Sequence, residues 1–181
     1  MSKLNIMRLN SPDMVFGLVD FCNDAREYLG ICCDLVEVGS YAGESTQIFW
    51  EHLMPYTIHC VDKWDITNKY NKEEIEYAEK IFHVLHNEKI DEGLIGVYKR
   101  HSRDEKLKEL IKNPDIVYID ASHDYADVSK DIDFWMQFNP RIISGHDYSQ
   151  KFKGVMQAVN ERFKPEEIKT YRDTSWAIYL K

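Results

Sequence analysis

Two rhythms of apolar residues alternate along this chain. Short apolar runs at residues 35–38, 57–61, 95–99, 115–120 and 141–145 read as strands buried on both faces. Between them, apolar residues recur every three or four positions, the spacing of a helix that buries one side. The helical segments are predicted at 12–29, 45–53, 72–86, 103–112, 125–138 and 153–163. Ser11 serves as the first N-cap, with Val15, Leu18, Val19 and Phe21 facing inward. Ile75, Ala78, Ile81, Phe82 and Leu85 form the stripe of the third helix. Pro55, Pro114, Pro140 and Pro165 close four of these helices. Two last strands, at 168–172 and 176–180, are joined only by Asp173-Thr174-Ser175. So short a link permits only an antiparallel pair. Trp176, Ile178 and Leu180 alternate with Ala177 and Tyr179, so the last strand is expected to be covered on both faces, beside the fifth. The pattern predicts an α/β fold in three layers, with a seven-stranded, mostly parallel sheet and one antiparallel strand.

Composition narrows the setting. The 181 residues suffice for one domain with a real core. The formal charge of −8, from 31 acidic and 23 basic residues, argues against a nucleic-acid partner, and the run from Lys99 to Arg103 is the lone basic stretch. The first residues lack the apolar centre of a secretory leader, and no window approaches the roughly 20 apolar residues of a membrane span. Cys22, Cys32, Cys33 and Cys60 lack metal-ligand spacing, and the adjacent pair reads as buried reduced thiols. A cytoplasmic protein without a membrane partner is expected.

The chemistry concentrates where strands end. In an open α/β sheet, ligands sit at the carboxyl ends of the strands. Those ends here carry Glu37-Val38-Gly39, Asp62-Lys63-Trp64, Arg100-His101-Ser102, Asp120 to His123, and Gly145 to Tyr148. Gly39 and Gly43 permit a tight turn after the first strand, and Ser45 and Thr46 offer hydroxyls to the opening of the next helix. Glu37 is an acid in an apolar strand, which points to a ligand with hydrogen-bond donors or positive charge. The ammonium and sulfonium of S-adenosylmethionine (SAM) meet that demand. Asp62, about twenty residues beyond the turn, is placed to accept two ribose hydroxyls; otherwise it is a solvated loop acid or a cap for the next turn. Trp64 is either a cover for adenine or a core aromatic.

The set Glu37-x-Gly39-x-x-x-Gly43-x-Ser45, Asp62 and Asp120 resembles the class I SAM-dependent methyltransferases. Residues 115–125, Asp131 to Trp135, Gly145 to Tyr148, Gly154-Val155 and Ala158-Val159 narrow the resemblance to the small-molecule O-methyltransferase-like subgroup, methyltransferase family 24. The resemblance implies a single methyltransferase domain over 1–181, with an N-terminal helical segment at 1–30 and a SAM-binding core at 33–181. It implies that Glu37, Gly39, Ser40 and Tyr41 face the methionine part of SAM, with Gly43 and Ser45 in the same turn. Asp62, Lys63 and Trp64 would surround the ribose, His101, Ser102 and Arg103 would border adenine, and Asp120 would lie near the sulfonium. In metal-dependent relatives the positions of Asp120, His146 and Asp147 bind a divalent cation, here Mg²⁺ or Mn²⁺. A cation-free alternative makes His146 or His123 a general base near neutral pH; His123 also reads as a helix N-terminal residue bonded to backbone. The Pro-Gly-Gly of many relatives is replaced by Asn139-Pro140-Arg141.

The reaction expected is O-methylation of a small molecule or sugar hydroxyl. No lid insertion is evident, so the acceptor site is either open or completed by a second copy of the chain. Two other readings stay open. One is a different Rossmann-type nucleotide enzyme, although Gly39-x-x-x-Gly43 is not the dinucleotide fingerprint. The other is a methyltransferase-like scaffold that binds or assembles without catalysis.

Overall fold

The computed structural model describes residues 9, 11–30, 32–65 and 71–180; the expectation of no leader falls on residues outside that set. The elements in chain order are α1 (Pro12–Leu29), β1 (Asp34–Val38), α2 (Glu44–Ile48), β2 (Thr57–Asp62), α3 (Lys72–Asp91), β3 (Ile95–Lys99), α4 (Leu107–Leu110), β4 (Ile116–Ile119), α5 (Tyr125–Trp135), β5 (Ile142–Gly145), α6 (Lys153–Asn160), β6 (Lys169–Thr170) and β7 (Trp176–Tyr179). They build a seven-stranded sheet in the order β3-β2-β1-β4-β5-β7-β6. β1 to β5 are parallel, and β7 runs against both of its neighbours. The last strand therefore lies where its alternation predicted.

Period-two alternation divides the core. Leu35, Ile58, Ile95, Ile116 and Ile142 face α1, α2 and α3, where they meet Leu18, Phe21, Phe49 and Phe82. Val36, Val61, Val117, Ile143 and Ile178 face α4, α5 and α6, against Leu107, Ile132, Trp135 and Val159. Each such side chain contributes about 1.5–3 kcal/mol when fully buried. Ser11 Oγ accepts the Met14 N–H, so the first helix begins at its expected cap. No helix among the described residues is long and apolar enough to cross a membrane.

Several expectations change. The helix expected at 45–53 is α2 followed by a π-helical turn, Phe49–Leu53. α3 runs one turn beyond its predicted end, and its stripe contains His86, fully buried, while Leu85 is exposed. The His86 ring nitrogen Nε2 meets the Gly43 carbonyl at 3.0 Å, a partner in the fold that its apolar neighbour could not use. The helix expected at 103–112 shrinks to α4, because Arg103 is drawn away to Asp127 and Asp131 of α5. All four cysteines are free, with Cys33 buried and Cys32 exposed.

Candidate active site

The polar strand ends open into one cleft of about 730 Å³ at the carboxyl edge of the sheet. Its wall includes Gly39, Tyr41, Ser45, Asp62, Lys63, His101, Ser102, Asp120, His123, His146 and Asp147. Two glycines bring the loops together. Gly39 has φ +97°, and a Cβ there would lie 2.2 Å from the Asp120 carbonyl oxygen. A Cβ on Gly145 would lie 2.4 Å from the Ile119 carbonyl oxygen. The ends of β1, β4 and β5 therefore crowd together only because neither residue has a side chain.

The turn after β1 is tied to β2 through Asp62. Its Oδ2 accepts the Tyr41 N–H at 2.9 Å and its Oδ1 the Trp64 N–H at 2.7 Å. Each oxygen retains a lone pair for a further donor. Burial raises the Asp62 carboxyl above its ordinary range, against those two backbone bonds.

Four residues expected around the donor do not reach the cleft wall. Glu37 is 1% exposed, and its carboxylate takes hydroxyl hydrogen bonds from Ser45 and Thr46 at the start of α2. Those hydroxyls therefore serve the strand acid, not the free N–H groups of the helix. Burial raises the Glu37 carboxyl, opposed by the same hydroxyls. Ser40 is buried at 2% exposure. The space beside Gly43 is filled by His86 and Phe82. Trp64 takes the core reading: its indole N–H donates to the Tyr41 carbonyl at 2.8 Å and its ring packs on Phe82.

At the far end of the cleft, Asp120, His146 and Asp147 each present a ligand atom within 4.8 Å of the other two. His146 Nδ1 stands 3.4 Å from Asp147 Oδ1 and 4.0 Å from Asp120 Oδ2. His123 Nε2 contacts Asp147 Oδ2 at 2.7 Å, and its ring lies on Phe152 with centroids 4.3 Å apart. One acid here escaped the sequence reading. Asp173, in the turn before β7, lies 4.0 Å from His146 Nε2 and accepts the Ser175 hydroxyl at 2.6 Å. Within Asp173-Thr174-Ser175 it reads only as a turn residue, and its sole signal was that the turn joins a strand beside β5.

Burial and charge pull the pKa values in this cluster apart. Burial lifts the Asp120 carboxyl to about 6, with His146 opposing and Asp147 assisting. Burial disfavours a charged His146, but the hydrogen bond to Asp147 and the charges of Asp120, Asp147 and Asp173 outweigh it and raise the imidazole to about 9. Burial likewise opposes the Asp147 carboxylate, yet bonds from His123 and His146 hold it well below the usual range. This corrects the expectation of His146 as a base near neutrality: without a cation it is protonated at pH 7.

A pH-dependent stability follows. Asp120, raised from 3.8, and His146, raised from 6.5, both stabilise the fold most when protonated. Their contributions fade as pH rises through about 6 and about 9 respectively. In EDTA, the urea midpoint is expected to fall between pH 6.5 and 9, with a shallower fall in His146→Gln. Parallel slopes in the two proteins would remove His146 as the cause.

At the other end, the loop after β3 is locked to α5. Ser102 Oγ donates to Asp131 Oδ1 at 2.6 Å, and Arg103 reaches the same oxygen at 2.6 Å. Arg103 also contacts Asp127 Oδ1 at 3.1 Å. Burial lifts the Asp131 carboxyl, against Ser102 and Arg103.

Comparison with known proteins agrees with this architecture. The methyltransferase domain family Methyltransf_24 matches residues 36–148. No curated protein matches the chain in sequence. Among solved structures, a Staphylococcus aureus protein assigned as a caffeoyl-CoA O-methyltransferase superposes with a TM-score of 0.64 at 14% identity, covering 99% of this chain and 88% of that one. Cofactor-bound Rv0187 from MTB gives 0.63 at 13% identity, covering 98% and 84%. The spermidine synthase of Thermotoga maritima gives 0.56 at 13% identity, covering 90% and 58%. The chain belongs to the Methyltransf_24 family of methyltransferase domains. It is a SAM-dependent methyltransferase.

Proposed function

We propose that the enzyme methylates a hydroxyl of a small molecule, with Asp120, His146 and Asp147 holding a divalent cation such as Mg²⁺ or Mn²⁺ beside the acceptor. The observation that carries this reading is the convergence of those three side chains at one end of the cleft. Two carboxylates and an imidazole suit a divalent ion that accepts mixed oxygen and nitrogen ligands. SAM supplies an activated methyl group, and a bound cation lowers the pKa of the acceptor hydroxyl.

The protein's own work is positioning. Asp62 braces the turn of Tyr41 and offers its remaining lone pairs to the donor's sugar hydroxyls. The turn at Gly39 sets the donor against the end of β4, where Asp120 stands. His123 and Phe152 wall the acceptor side. Holding donor and acceptor in line is the larger part of such catalysis. The O-methyltransferase assignment of the Staphylococcus aureus structure is consistent with this chemistry.

The test is transfer of labelled methyl from SAM to a panel of hydroxylated small molecules, with and without Mn²⁺. Label on an acceptor oxygen only when Mn²⁺ is present is the expected result; label on nitrogen or carbon would refute the acceptor class. The donor half is tested separately. Asp62→Ala removes up to two hydrogen bonds to the sugar, each worth ~1 kcal/mol or more net. Calorimetry with S-adenosylhomocysteine should show binding at least about tenfold weaker than for the parent. Equal affinities would remove Asp62 from the donor site.

A further inference from the structure

His146 meets carboxylates on both of its ring nitrogens. Nδ1 faces the other two members of the cluster, Asp147 Oδ1 at 3.4 Å and Asp120 Oδ2 at 4.0 Å. Nε2 faces Asp173 Oδ2 at 4.0 Å. Asp173 is not one of the three residues whose ligand atoms converge. It is nonetheless firmly held. Its Oδ1 accepts the Ser175 N–H at 3.1 Å, and its Oδ2 accepts the Ser175 hydroxyl at 2.6 Å. With that proton given to Asp173, the Tyr118 hydroxyl, 2.7 Å from Ser175 Oγ, is the donor of its pair. α1 closes over the turn, since a Cβ on Gly17 would lie 2.4 Å from Asp173 N and from its Oδ1. The Asp173 side chain is left 2% exposed. The bond to the Ser175 N–H is an ordinary Asx turn and accounts for Oδ1. It does not account for Oδ2 being aimed at an imidazole.

An imidazole that ligates through one nitrogen keeps its proton on the other, and a carboxylate facing that proton fixes both ring and tautomer. We propose that Asp173 is a positioning residue for the cation site: it turns His146 so that Nε2 keeps the proton and Nδ1 offers its lone pair to a divalent ion shared with Asp120 and Asp147. The assignment rests on the cation reading above. The contact is about 1 Å longer than a formed hydrogen bond, so Asp173 acts on the ring through its charge. Tyr118 and Ser175 keep Oδ2 in place, and the turn before β7 thereby becomes part of a site whose ligands follow β4 and β5.

Asp173→Asn separates this role from the turn. Its amide oxygen still accepts the Ser175 N–H, and its NH₂ group then stands where Oδ2 faced the ring. A donor there favours the proton on Nδ1, the nitrogen that the ion needs free. Two readouts require no turnover: Mn²⁺ affinity by calorimetry, and the ring ¹⁵N shifts of His146 with Zn²⁺ as a diamagnetic probe. The parent should show Nδ1 bound to metal and Nε2 protonated. Asp173→Asn should bind Mn²⁺ about 10–100-fold more weakly. Ser175→Ala removes a hydroxyl but leaves the carboxylate, and should bind within about threefold of the parent. If Asp173 only braced the turn, Ser175→Ala would cost as much affinity as Asp173→Asn, and that result overturns the assignment. So does equal Mn²⁺ affinity in the parent and Asp173→Asn. Ligation through Nε2 in the parent also overturns it, whether or not Asp173→Asn folds. A folded parent that binds no Mn²⁺ overturns the cation reading and this assignment together.

Discussion

Asp120→Ala is expected to lose turnover by a factor of about 10³ or more, the scale of several kcal/mol of charge stabilisation at a reacting oxygen. EDTA should do the same to the parent, and added Mn²⁺ should restore the parent but not the variant. A readout independent of activity accompanies this. Mn²⁺ should raise the melting temperature of the parent by mass action and leave Asp120→Ala unmoved. The variant should fold, because burial already disfavours a charged Asp120 and lifts its pKa to about 6, and removing the carboxylate also relieves repulsion from Asp147, although it gives up attraction to His146. Turnover indifferent to EDTA would instead return the base role to a side chain, with His123 the first candidate because Asp147 holds it at 2.7 Å. A melting shift retained in Asp120→Ala would place the ion elsewhere.

Gly39→Ala should produce the largest loss of stability. A methyl group at this position meets the Asp120 carbonyl oxygen at 2.2 Å and its carbon at 2.7 Å, and both are backbone atoms that cannot turn aside. The backbone also stands at φ +97°, which side chains rarely adopt. Together these should cost about 3 kcal/mol or more, and so about 6–12 °C in melting temperature for a chain of this size. S-adenosylhomocysteine binding and Mn²⁺ response should fall together, since β1 and β4 separate at the point both sites share. A variant that melts with the parent and keeps both ligands would show that the two loops have room to spare.

What could be read in the sequence was what depends on neighbours along the chain. Ser11 and Pro12 marked the start of α1, and the alternation of Trp176 to Tyr179 located β7 beside β5, because capping and period-two burial are local properties. The edge of polar strand ends was legible for the same reason: topology delivers strand ends to one place. Errors arose where a side chain answers to a distant partner. His86 displaced Leu85 from the core because the Gly43 carbonyl, 43 residues away, required a donor. The Glu37 carboxylate is buried and takes the Ser45 and Thr46 hydroxyls, which were expected to cap the helix. Arg103 left its expected helix for an acid on α5. His146 kept its place in the cluster but not its expected pKa, since three surrounding carboxylates, Asp173 among them, act on it through space.

The insertion of β7 between β5 and β6 also sets a schedule for synthesis. The strands that carry Gly39, Asp62, Ser102 and Asp120 leave the ribosome well before Trp176. Until that segment emerges, β5 has one unpaired edge, with Ile142 and Ile143 in the strand and His146-Asp147 just beyond it. A nascent chain at this stage has the strands of the donor half and an open, apolar margin on the acceptor half, the kind of edge that pairs with other chains. Arrest or proteolysis ahead of Lys169 would therefore yield a sticky fragment, not a slower enzyme, and a chaperone contact in this interval would fall on β5.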